Sequence, residues 1–167
     1  MATTTYLSLA QLQAVMAAPR LVDCLDDDED GSRSDAEQAL ATDPDTGLIF
    51  RAGALADSYL MGAGYSLPLA TGQVSPIMRH HVAMVSAHYA AQRRPGLRDA
   101  QGRAPYWQEH AAALAFFELV RDGKVTLDGA PSAPSIQGVA GSGFVTHGNR
   151  GGQRVPSTAN PHRQRRW

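Results

Sequence analysis

The chain is 167 residues long, 43% hydrophobic and 7% aromatic, which gives room for one domain with an extension and a core that closes only if most of the chain contributes. Its formal net charge of -1 conceals a segregation: the surplus acid precedes Phe50, whereas Arg150, Arg154, Arg163, Arg165 and Arg166 close the chain with no Asp or Glu among them. Cys24 stands alone, which excludes an intramolecular disulfide, and neither a signal-like leader nor a run approaching the ~20 apolar residues of a membrane span is present, so the chain reads as soluble and cytosolic.

In chain order, Ser8 with Gln11 three residues on reads as a capping box opening a short helix, with Leu9, Leu12, Val15 and Met16 on one face and Pro19 as its stop. Leu21, Val22 and Leu25 suggest another apolar turn before the acidic run from Asp26 to Asp30, and Asp43 to Gly47 is loop chemistry. From Leu48 the apolar set Leu48, Ile49, Ala52, Leu55, Ala56, Tyr59 and Leu60 recurs at helical spacing. Gly53 costs that helix about 1 kcal/mol relative to Ala, which suits a close helix crossing. Gly62 and Gly64 turn the chain, and Pro68 holds Leu67 extended. Tyr59, Tyr65, Leu67 and Leu69 are too apolar for a solvated loop, and they are the candidate subunit contact.

Ser75 as N-cap and Pro76 in the first turn begin the next helix, which Pro95-Gly96 stops. The segment from Arg93 to Arg103 is basic and turn-rich. Pro105 opens the most hydrophobic helix, with Leu114, Phe116, Phe117, Leu119 and Val120, ended by Gly123; Lys124 to Leu127 reads as extended. The predicted fold is thus all-α: a small bundle of about four helices, with an acidic loop and a long extended C-terminal tail. Residues 1–129 form the helical domain and residues 130–167 the tail. The tail is rich in Gly, Pro, Ser and Arg and should not fold by itself, so partner contacts are expected to order it.

Asp26, Asp28, Asp30, Gly31 and Glu37 match the spacing of an EF-hand calcium loop. Arg33 occupies the usual apolar position, and Pro19 and Pro44 leave little room for two flanking helices. A solvated acidic loop is the favoured reading, with calcium binding by Asp26, Asp28, Asp30 and Glu37 left open. His80, His81, His88 and His110 lack metal-ligand spacing, and Cys24 among carboxylates has the wrong surroundings for a nucleophile. No catalytic set can be placed, so no enzyme and no cofactor is expected. The tail residues Arg150, Arg154, Arg163, Arg165, Arg166 and Trp167 suit an acidic groove on a partner protein. The alternatives are contact with DNA phosphates, as in a small DNA-binding or regulatory protein, and a merely solubilising tail.

The order of these signals resembles the head-tail connector (neck adaptor) proteins of Mu-like tailed phages. The resemblance rests on Tyr6-Leu7-Ser8, Ala54 to Leu60, Tyr65-x-Leu67-Pro68-Leu69, Val74-Ser75-Pro76 and Tyr106 to Phe117, leading to Gly123 through Leu127. The family's usual arginine before the motif tyrosine is replaced by Gly64, and the acidic region is expanded. What the resemblance implies is an all-helical subunit of a homo-oligomeric ring, a dodecamer, in the virion neck, assembled in the host cytoplasm. Its partners would be copies of itself, the portal protein and tail or head-closure proteins, with DNA passing through without sequence recognition.

Overall fold

The computed structural model describes residues 5–32, 34–128 and Ala130. The described fold is an all-α bundle of six helices: α1 Leu9–Val15, α2 Ala18–Leu25, α3 Asp35–Thr42, α4 Leu48–Gly62, α5 Pro76–Gln92 and α6 Trp107–Arg121. Short 3-10 turns at Thr71–Gln73 and Pro95–Leu97 punctuate the connections. The expected count of about four helices is therefore too low. Pro19 lies in the first turn of α2 rather than stopping α1, and α3 occupies sequence in which no helix is predicted.

Three long helices make the centre. α4, α5 and α6 pack on one another, α1 and α2 lean on α5, and α3 lies against α4. Arg51 in the first turn of α4 sits over the ring of Tyr89 near the end of α5, at 5.2 Å, so α4 and α5 run antiparallel. α5 and α6 are antiparallel as well, since His81 stacks on Phe116 at 4.2 Å and His88 on His110 at 4.5 Å. The core between them holds Ala52, Ala56, Leu60, Met78, Val82, Val85, Ala113, Phe117 and Val120. Small residues on α4 and α5 let the backbones approach, and Phe117 fills the middle. Gly53 is buried within α4.

The helix ends follow local chemistry. Ser8 and Gln11 form the predicted capping box on α1, and the Ser75 hydroxyl caps α5 by accepting from Met78 N. Ser34 and Glu37 form a second capping box on α3. Gly62 stays helical, and Gly64 alone takes the left-handed conformation, at φ 81°. Tyr65 N donates to Leu60 O and Gly64 N to Met61 O, a Schellman stop that ties up the last carbonyls of α4. Gly123, at φ 69°, ends α6 with the same pair of bonds, from Lys124 N to Leu119 O and Gly123 N to Val120 O. α6 starts at Trp107 rather than Pro105, after Tyr106 in the left-handed region at φ 62°.

Candidate functional site

Tyr59, Tyr65, Leu67 and Leu69, singled out as a subunit contact, all pack on this chain's own core. Leu69 is buried and the other three are half-buried against it. The Tyr59 ring meets Phe117 at 5.8 Å with Arg121 above it. The Tyr65 hydroxyl accepts a 3.0 Å hydrogen bond from Leu127 N, so the exit from α4 is tied to the segment that follows α6. The Leu67-Pro68 peptide is cis. The tail candidates Arg150, Arg154, Arg163, Arg165, Arg166 and Trp167 lie outside the described residues.

The acidic run joins α2 to α3, so two helices of eight residues flank it despite Pro19 and Pro44. Its backbone wraps around carboxylates: Asp26 accepts from Asp30 N and Gly31 N, at 3.2 and 2.8 Å, and Gly31 turns at φ 77°. Glu37 reaches back, accepting from Asp27 N through one oxygen and from Ser34 N and the Ser34 hydroxyl through the other. These bonds, led by those from Ser34, hold the Glu37 carboxyl below its ordinary range. Burial works against ionising Asp26, but hydrogen bonds from Gly31, Asp28 and Asp30 outweigh it and its pKa is lowered; Asp28, hydrogen-bonded to Asp26, is raised. Oxygens of Asp26, Asp28 and Asp30 lie within 4.8 Å of one another, a set of hard oxygen donors of the type divalent cations take.

Part of the charge of this loop is met within the chain. Arg93 donates through Nη2 to both oxygens of Asp27, at 2.9 and 2.7 Å, and Arg94 lies 3.8 Å from Glu29 while donating to Asp23 O. A cleft of about 460 Å³ opens beside Arg94, walled by Asp23, Asp26, Glu29 and Leu97. The basic segment from Arg93 to Arg103 is visible in the sequence, but its pairing with the acidic run is not. Opposite charge in two turn-rich segments was the available signal. Cys24 is buried beneath the loop, and burial more than the neighbouring Asp23 raises its pKa, with Arg20 pulling the other way.

His81, His88 and His110 line the α5 and α6 seam. Nδ1 of His88 lies 2.9 Å from Pro105 O, and the Gln92 amide nitrogen lies 2.9 Å from Nε2. Burial, then the neighbouring His80 and His88 respectively, lower the pKa of His81 and His110. A lowered histidine pKa means the unfolded chain binds more protons, so its stabilising contribution is present above the ordinary value of 6.5 and is lost as pH falls from there through the folded value. Melting temperature is therefore expected to fall between about pH 7 and pH 5. It should fall again below the ordinary carboxyl values of 3.8 and 4.5 as Asp26, Glu37, Asp43, Asp99 and Asp122, all lowered, take up protons. A melting temperature flat from pH 7 to pH 5, or eliminated as a histidine effect by an unchanged slope in the His81→Phe, His110→Phe double variant, would contradict this.

Among the described residues, no helix is long and apolar enough to cross a membrane. No curated protein and no solved structure matches the chain. The family described as Bacteriophage Mu, Gp36 matches it over residues 6–143. That span starts at the buried Tyr6 and takes in all six helices, and the chain therefore belongs to the bacteriophage Mu Gp36 family.

Proposed function

We propose that this phage protein is a structural head-tail connector, a subunit of a ring in the virion neck beneath the portal, acting by assembly rather than turnover. The observation that carries the reading is the family match across the helical body. The ordered set of motifs from Tyr6 to Leu127 supports it, because those residues build one bundle whose ends are fixed by caps and Schellman stops. Copies would pack head to tail, one patch against a different patch, which closes a ring when the rotation allows. The basic C-terminal residues would dock on the portal or on tail proteins, and DNA would pass through the ring without being read. Electron microscopy of virions carrying an epitope-tagged chain tests this directly. Label in a ring at the head-tail junction is the expected result; label confined to the capsid shell, the tail tip or host extract would sink the reading.

A further inference from the structure

Asp27 engages Arg93 from one side only. The other terminal nitrogen, Nη1, is buried with no hydrogen-bond partner among the described residues. Buried polar atoms are almost always satisfied, and an unpaired one on a charged group asks for an acceptor. Arg93 lines a cleft of about 290 Å³ between α4, α5 and the end of α3, with Arg51, Gln92, Tyr89, Leu40 and Leu48. Arg51 is exposed, lies over the Tyr89 ring, and forms no ion pair among the described residues. Arg51 and the Gln92 amide, beside Arg93, Leu40, Leu48 and the Tyr89 ring, make a receptor for a carboxylate on a short apolar-flanked segment.

We propose that the cleft receives Glu118 of a second copy of this chain, an inference that rests on the ring reading and names its contact. Glu118 is exposed and forms no ion pair among the described residues, and its neighbour Leu119 is 40% exposed despite lying in a hydrophobic helix. Leu40 at the cleft rim is 36% exposed and offers the apolar counterpart. The antiparallel pairing of α5 with α6 sets Tyr89 beside His110, at 6.0 Å, and leaves Glu118 two turns further along α6, roughly 12 Å away. Cleft and carboxylate thus sit toward opposite ends of one bundle, the layout of a head-to-tail contact. Glu109 lies at the cleft's own end and does not meet that requirement.

Sedimentation velocity of the full chain, with Arg51→Glu, Glu118→Arg and the milder Arg51→Gln, tests the contact. Each charge reversal is expected to weaken self-association at least about tenfold, with Arg51→Gln intermediate and all three retaining the wild-type circular dichroism spectrum. An equimolar mixture of Arg51→Glu and Glu118→Arg should recover assembly, because alternating copies pair every charge with its opposite. Folded variants that assemble like wild type, or a mixture that stays dissociated, overturn the contact and leave the ring reading standing. A wild-type chain that stays monomeric at every concentration overturns this contact as well, whereas the ring reading is decided by the position of the label in virions.

Discussion

Phe117→Ala is expected to destabilise the bundle by about 3–5 kcal/mol, the usual range for emptying an aromatic site in a packed core. Phe117 is 1% exposed and touches the rings of Tyr59 on α4, His81 on α5 and Phe116 on its own helix. It is the side chain on which the three long helices converge, so the surrounding backbone cannot collapse into the space without separating them. Chemical denaturation followed by circular dichroism measures the loss. Met61→Ala is the matched comparison: Met61 is 67% exposed, and its truncation should change stability by less than about 0.5 kcal/mol. A Phe117→Ala loss under about 1 kcal/mol would mean that α4, α5 and α6 do not share one core.

The second large effect needs only one added methyl group. A Cβ on Gly47 would lie 2.6 Å from Asp43 O, 2.7 Å from Asp43 N and 2.9 Å from Ala41 O. Every one of these is a backbone atom, so no side chain can rotate away. The loop is also tied down, since Asp43 Oδ1 accepts from Asp45 N, Thr46 N and the Thr46 hydroxyl while Gly47 N donates to Asp43 O. The Gly47 backbone, at φ -62°, suits alanine, which leaves steric overlap as the sole cause. Gly47→Ala is therefore expected to cost about 2–3 kcal/mol, the upper part of the range for overpacking. Gly72→Ala, with nothing within 4 Å of its added Cβ, should stay within about 0.5 kcal/mol in the same melts. Equal behaviour of the two variants would refute the steric account.

The long helices were legible because their signals are local. α4 shows its stripe from Leu48 to Leu60, and Ser75-Pro76 announces α5 before any apolar residue appears. α2 shows only as an apolar turn at Leu21, Val22 and Leu25, and α3 not at all, for two different reasons. Pro19 stops a helix when read from its N-terminal side and starts one when read from the other, and here it starts α2. α3 buries only Glu37 and Ala41, so it carries almost no apolar stripe. Its strongest mark, Ser34 followed three residues later by Glu37, coincides with the last position of the calcium-loop spacing. The same glutamate satisfies both patterns, and its oxygens are committed to Ser34 and Asp27. The ion pair of Arg93 with Asp27 joins residues 66 apart in sequence. Opposite charge suggests such a pair, but only the packing of α2 against α5 brings it together.

The hydrogen bond from Leu127 N to the Tyr65 hydroxyl, together with the burial of the Leu127 side chain, also has a mechanical meaning. A pull applied beyond residue 127 is taken up first at Leu127 and passed sideways to Tyr65, whose own backbone is bonded to the last turn of α4. α6 is thereby shielded from being unwound from its C-terminal end, and load entering at the end of the described chain is shared between two helices that already pack together.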